Sequence, residues 1–273
     1  MAEGNPKIIS GRQGVLSWTR LSARRPTGMV FAPPLIGGSA GTILRRLRWM
    51  ADGGWDVFSF DYAGHGRSGG GFTLSTSLRD TRTMCRCAAS AAAADRLPLH
   101  GVGICFGAIP LIHAAAMGTP IGRMVLLNPI PGFSAAAAVR AFRRWWLSTR
   151  HLWPGVRGYL DTLFPFTDKG LHGFGILARH RTRLLKAFGE ALHFAPLDHL
   201  RLDGTRLLCL YTTSDVIRQA AGYGCEAAYR QRIRALCPEA EFHRLDDDHY
   251  LSRQASRRRI RALTSRFLRT AGG

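Results

Sequence analysis

Short runs of apolar residues alternate along this chain with longer stretches whose apolar positions recur at helical spacing. The runs are 28–34 (GMVFAPP), 56–63 (DVFSFDYA), 98–105 (PLHGVGIC), 122–130 (GRMVLLNPI), 205–213 (TRLLCLYTT) and 240–246 (AEFHRLD), each bounded by Gly, Pro or Asp, and each predicts a strand. Most are apolar at successive positions, the mark of strands covered on both faces. Between them, 42–52 places Ile43, Leu44, Leu47 and Met50 on one helical face. Residues 76–95 read as an Ala-rich helix, and 106–117 as a helix that begins where a strand stops. The stretch 251–269 carries Leu251, Ile260, Leu263 and Phe267 on one face, surrounded by arginine. Residues 10–23 suggest a hairpin at the start.

Alternation of this kind predicts an α/β fold: a mostly parallel sheet of about eight strands with helices on both faces. Residues 131–200 break the rhythm. They hold no strand pattern and are rich in aromatics and arginine. Structureless loops longer than about 15 residues are uncommon in compact domains, so an inserted helical cap is expected here. The expected organisation is a first core part over 1–130, a cap over 131–200 and a second core part over 201–273.

The sequence GICFG, 103–107, puts Cys105 at the junction of a strand and a helix. A turn that sharp strains the residue at its apex. Gly103 and Gly107 leave room for it, and the Phe106 N–H points into the space that the Cys105 side chain enters. The pattern is the nucleophile elbow G-x-S-x-G with cysteine in place of serine. Asp215 follows an expected strand in YTTSDVI, and His249 follows another in LDDDHYLS, giving the order nucleophile, acid, base. In these roles His249 takes the thiol proton, while Asp215 fixes the imidazole tautomer and stabilises its charged form.

Two further segments carry a family likeness. FSFDYAGHGRSGG (58–70) matches D-x-x-G-x-G-x-S through Asp61, Gly64, Gly66 and Ser68. VFAPPLIGGS (30–39) resembles an oxyanion loop in which Pro33–Pro34 replaces the usual His-Gly. On these motifs the chain resembles the α/β-hydrolase superfamily, in its cap-bearing, lipase/thioesterase-like form, over residues 28–130 and 200–270. The resemblance implies an oxyanion hole built from the backbone N–H groups of Leu35 and Phe106; Pro34 has no N–H, so the loop's donor begins at residue 35. Relatives with cysteine at the elbow include polyhydroxyalkanoate synthases, dienelactone hydrolases and some thioesterases, which leaves both hydrolysis and acyl transfer open.

Sulfur chemistry narrows the substrate. A thiolate attacking a thioester exchanges one thioester for another at little thermodynamic cost, whereas attack on an amide is uphill. The expected function is therefore acyl transfer to water from an ester or thioester, through an acyl-cysteine. The alternatives are an acyltransferase with a non-water acceptor and a silent scaffold whose His249 lies out of reach of the thiol. Trp145, Trp146, Trp153 and Phe164 are expected to line an acyl pocket, or else to form the cap's own core. Arg143, Arg144 and Arg150 would meet coenzyme A or an acidic carrier protein, or else only water.

The formal net charge of +20, nearly all of it from arginine, favours anionic partners. The arginines are scattered, as on solvated faces, and no strand joins aromatic to basic residues as nucleic-acid binders do, so no nucleic-acid partner is expected. The cysteines at 85, 87, 105, 209, 225 and 237 show no C-x-x-C spacing, which excludes a disulfide framework and a zinc site; neither metal nor cofactor is expected. MAEGNPKIIS lacks the apolar core of a signal peptide, and no window reaches the ~18 apolar residues of a membrane span, so a cytoplasmic protein is expected. Peripheral membrane contact through the Arg/Trp-rich cap is a remaining alternative.

Several matches act as decoys. GGSAG (37–41) also fits the elbow pattern, but it follows the first core strand, where the oxyanion loop belongs, which sets Ser39 aside. GHGRSG (64–69) fits a dinucleotide fingerprint but lacks the acidic residue after a following strand. Asp203 is the nearest rival to Asp215, His243 alternates within a strand, and Asp246–Asp247–Asp248 reads as a solvated loop.

Overall fold

The computed structural model describes residues 7–35, 37–131, 197, 199–215, 218–219, 223–249 and 251–269. Its frame is an eight-stranded sheet in the order β1-β2-β4-β3-β5-β6-β7-β8. The strands are β1 (Lys7–Gln13), β2 (Leu16–Ser22), β3 (Gly28–Phe31), β4 (Trp55–Phe60), β5 (Leu99–Ile104), β6 (Arg123–Leu127), β7 (Arg206–Ser214) and β8 (Glu241–Asp248). β1 and β2 form the hairpin expected at the start, turning through Gly14 at φ +57°. β2 lies antiparallel to β4, and β3 to β8 all run parallel.

The successive apolar positions of the strands explain the layers. Met29, Phe31, Met124, Leu126, Cys209 and Tyr211 face one side, while Val30, Val125, Leu208 and Leu210 face the other. The first side is covered by α2 (Leu74–Ala94), α3 (Ala108–Ala116) and α4 (Glu226–Leu236) through Met84, Ala88, Leu111, Ile112, Tyr229 and Ile233. The second is covered by α1 (Ala40–Asp52) and α5 (Gln254–Arg269) through Ile43, Leu47, Met50, Ile260 and Phe267. At about 25 cal/mol per Å² of apolar surface removed from water, burial on both sheet faces is the main term holding the parallel strands together.

Some expectations shift. Leu251 lies before α5, at φ +58°, although it still packs against the same apolar cluster. Asp246, Asp247 and Asp248 are the last residues of β8, not a loop. Asp247 Oδ1 accepts the Asp248 N–H at 2.8 Å and Oδ2 the Arg253 N–H at 3.1 Å, so the acidic run ties the turn that leads into α5. The segment expected to form the cap lies, apart from Pro131, Leu197, His199 and Leu200, outside the described residues, and with it Trp145, Trp146, Trp153 and Phe164. Among the described residues no helix is long and apolar enough to cross a membrane.

Candidate active site

β5 ends at Ile104, and the chain passes at once into a single 3-10 turn, Cys105–Gly107, that runs on into α3. Cys105 sits at φ +49°, a left-handed conformation that costs a non-glycine residue about 1–3 kcal/mol. The neighbouring glycines show why the turn closes so sharply. A Cβ at Gly103 would come within 2.7 Å of Ala108 Cα, and one at Gly107 within 2.9 Å of Pro33 O. The elbow therefore packs backbone on backbone, and the half-buried Cys105 stands at the amino end of α3, where the helix dipole favours negative charge.

Two strands away, β7 ends at Ser214 and Asp215 follows, fully buried. Its Oδ1 accepts the Arg218 N–H at 2.8 Å and the His249 Nδ1–H at 2.8 Å. His249 directly follows β8, and Cys105 is among the groups that act on its ring. The side chains proposed from chain order as acid and base are thus joined by a hydrogen bond, with Cys105 near enough to raise the imidazole pKa. With Nδ1 taken by Asp215, Nε2 is the nitrogen left to face sulfur.

The imidazole is caught between opposing influences. Burial works against its charged form; the hydrogen bonds to Asp215 and Cys105, and the negative charge that both can carry, work for it. The second set wins, and the pKa of His249 is raised to about 10. Elsewhere, burial pushes the Cys209 thiol up to about 12 and the Cys85 thiol up as well.

The loop from Ala32 to Ser39 is fastened beside the elbow. Tyr62 OH donates to Pro34 O at 3.2 Å, Gly38 N–H to Leu35 O at 2.9 Å, and Gly37 N–H to His65 Nε2 at 3.0 Å. Leu35 is half-buried there, and Phe106 is buried against Tyr62, with ring centroids 6.5 Å apart. Asp61 ties the next turn: Oδ1 accepts the Ala40 N–H at 2.7 Å, Oδ2 the Arg67 N–H at 2.9 Å, and its carbonyl the Ser68 hydroxyl at 2.6 Å. Ser39 is occupied as the N-cap of α1, its hydroxyl accepting the Thr42 N–H at 3.4 Å. His243 lies within β8 and Asp203 before the start of β7, whereas Asp215 and His249 follow the ends of those strands.

Sequence reasoning overlooked three neighbours of the site. Cys105 and Tyr223 both pack against Ile130. Arg218 is buried, its Nη1 donating to Tyr223 O at 3.0 Å and its guanidinium 5.1 Å from the centre of the Tyr229 ring. Nothing local in the sequence separates Arg218 from the many solvated arginines. Among the described residues no group of His, Cys, Asp and Glu could hold a metal ion.

A model of the alpha/beta hydrolase family matches residues 29–262. No curated protein sequence matches the chain. Among solved structures, a carboxylesterase of the ammonia-oxidizing thaumarchaeon Nitrososphaera gargenis is similar at TM-score 0.61 and 15% identity, over 96% of this chain and 99% of that one. A soluble variant of the monoglyceride lipase of Saccharomyces cerevisiae, bound to a substrate analogue, is similar at TM-score 0.62 and 11% identity, over 98% and 96%. DcsB in complex with its substrate analogue is similar at TM-score 0.62 and 14% identity, over 98% and 100%. At such identities the likeness is one of fold.

Proposed function

Because the chain belongs to the alpha/beta hydrolase family, we propose that it hydrolyses an ester or thioester through an acyl-cysteine formed on Cys105. The observation that carries this reading is the 2.8 Å bond between Asp215 and His249, with Cys105 among the groups that raise the His249 pKa. A silent scaffold would hold the imidazole out of reach of the thiol, and the influence of Cys105 on His249 supports the catalytic reading over it.

The steps follow from the groups in place. His249 takes the thiol proton, and Cys105 sulfur attacks the carbonyl carbon of the substrate. The resulting oxyanion is received by the N–H groups of Leu35 and Phe106. Support for this pair is the closeness of the two segments, since Gly107 lets Pro33 and Pro34 lie directly against the elbow. The bond from carbon to the leaving oxygen or sulfur breaks, and His249 returns its proton to the leaving group. Water then attacks the acyl-cysteine, gives a proton to His249, and releases the acid; the proton goes back to sulfur.

Acylation itself retunes the base. Two influences that raise the His249 pKa, the hydrogen bond to Cys105 and the charge on its sulfur, vanish once sulfur carries an acyl group. The imidazole becomes easier to deprotonate at the step in which it must accept a proton from water. Transfer to another acceptor would use the same acyl-cysteine and differ only in what reaches it.

The substrate proposed is a small acyl ester or thioester, with Ile130 as apolar wall against Cys105 and Tyr223 packed on Ile130. The +20 charge makes a coenzyme A thioester or an acyl group on an acidic carrier protein a suitable donor. The test compares wild type with Cys105→Ala and Cys105→Ser on a matched ester and thioester. Cys105→Ala is expected to lose at least about a thousandfold in kcat/KM. Turnover within tenfold of wild type in Cys105→Ala overturns the reading.

A further inference from the structure

At the end of β6 a side chain takes over from a strand. Leu127 is the last β6 residue paired with β7, opposite Leu210, and the Asn128 N–H still reaches Leu210 O at 2.8 Å. Asn128 then adopts φ +45°, in the left-handed region that asparagine enters more readily than most side chains. The main chain turns away from the sheet there, and β7 runs on without it. The Asn128 carboxamide fills the gap. Its Oδ1 accepts the Thr212 N–H at 2.9 Å and the Thr212 hydroxyl at 3.2 Å. Its Nδ2 donates to the His249 carbonyl oxygen at 3.1 Å.

The carboxamide thus joins three segments distant in sequence. One is the end of β6. Another is β7 at Thr212, three residues before Asp215. The third is the main chain of His249 itself. Asn128 is 1% exposed and Thr212 fully buried, so water does not stand in readily for a lost partner. The chemistry of the three contacts is also selective. The position needs an acceptor on one side and a donor on the other, from a residue at home in a left-handed conformation. An aspartate supplies the acceptor and the backbone but no donor. A leucine supplies neither, and a glutamine is a methylene too long.

We propose that Asn128 is a positioning residue of the triad: its carboxamide fixes the spacing between the strand end that carries Asp215 and the main chain that carries His249. It touches neither sulfur nor substrate. It acts by holding the two anchors from which the 2.8 Å bond between Asp215 and His249 is made, and so the direction in which the imidazole meets Cys105. This rests on the triad reading given above.

The test uses the full chain and a reaction that needs no substrate. The rate of Cys105 alkylation by iodoacetamide is followed by peptide mass across pH, with thermal melts in parallel. Asn128→Gly keeps the left-handed backbone free of strain and removes the carboxamide. Asn128→Asp keeps the shape and the bonds from Thr212 but loses the donor to His249. Thr212→Val removes only one of the three contacts. Both Asn128 variants are expected to alkylate at Cys105 about tenfold more slowly at pH 7, with a displaced pH profile, because small misplacements of a reacting group are felt strongly. Thr212→Val is expected to stay within about threefold of wild type, since the bond to His249 survives. The conservative Asn128→Asp separates the donor from bulk packing: a rate like that of Asn128→Gly assigns the effect to the His249 contact. A folded Asn128→Gly with the wild-type rate and profile overturns the proposal. So does unfolding of both Asn128 variants below the assay temperature, because Asn128 would then hold the fold rather than the triad. If wild-type Cys105 reacts no faster than the exposed Cys225, the triad reading itself falls, which keeps the two failures apart.

Discussion

In the reaction proposed above, the ring of His249 carries most of the proton chemistry, and its protonation is set by its neighbours. Burial disfavours the imidazolium, but Asp215 and Cys105 outweigh it and raise the pKa to about 10. Replacing Asp215 by Asn removes one of these partners and keeps the size of the side chain. The His249 titration, followed by imidazole carbon-bound proton resonances, is expected to move to lower pH in Asp215→Asn, and turnover to fall by roughly 10²–10⁴-fold as tautomer control is lost. An unmoved titration would contradict the assigned cause. The same shift has a consequence for stability. A histidine whose folded pKa lies above its unfolded value of about 6.5 stabilises the native state fully below that pH and loses the contribution as pH rises toward 10. Melts of wild type should therefore decline between pH 6.5 and 10 more than those of His249→Gln; parallel curves would show that the imidazolium contributes nothing to folding.

The elbow is where an element rather than a side chain decides. Gly107 allows the Pro33–Pro34 segment to lie on the turn, and an added Cβ would stand 2.9 Å from Pro33 O and 3.3 Å from Pro34 O. Backbone cannot give way as a flexible side chain can. Gly107→Ala is expected to cost about 1–3 kcal/mol of stability, read from denaturant melts, and to lower kcat well beyond any change in the folded fraction, because the displaced segment carries the Leu35 N–H. A variant with full kcat would mean that Leu35 plays no part in the oxyanion site. Elements like this one were legible in the sequence because several signals agree. Gly103 and Gly107 bracket a small polarisable residue, an apolar run precedes them and a helical pattern follows. The pairing of Asp215 with His249 was legible through their places after strands. Helix α4 was not, because its apolar stripe of Tyr229, Ile233 and Leu236 is narrow among charged neighbours. The acidic end of β8 was not legible for a related reason: three aspartates read as solvated, whereas Asp247 is buried and accepts main-chain N–H groups. Asn128 reads in the sequence as part of the run 122–130, which says nothing of the strand end at Leu127 or of the carbonyl that its amide reaches across the sheet.

Over the whole molecule the dominant physical fact is the +20 charge. Among the described residues, exposed salt bridges such as Arg206–Glu241 and Arg253–Asp246 are worth little individually; the summed field is what a diffusing substrate meets. If the acyl donor is anionic, kcat/KM for a coenzyme A thioester should fall several-fold as ionic strength rises from about 0.05 to 0.5 M, where the Debye length shortens from more than 10 Å to about 4 Å. A neutral ester of the same acyl group should change little. Equal salt responses for both would assign the arginines to solvated surface rather than to steering. The sheet architecture was legible at this scale, since doubly apolar strands and amphipathic helices in alternation leave few architectures. The identity of the acyl group was not, because it depends on side chains that approach Cys105 from elements distant in sequence, as Ile130 does.

The central claim is that sulfur of Cys105 carries the acyl group between substrate and water. The most direct measurement is the mass of the chain and its peptides after rapid acid quench with a panel of acyl esters and acyl thioesters. The account predicts an adduct of the acyl mass on the peptide containing Cys105, removed by neutral hydroxylamine and absent in Cys105→Ala. Turnover with no such adduct under single-turnover conditions, or an acyl group found on the peptide containing Ser39 instead, would contradict it.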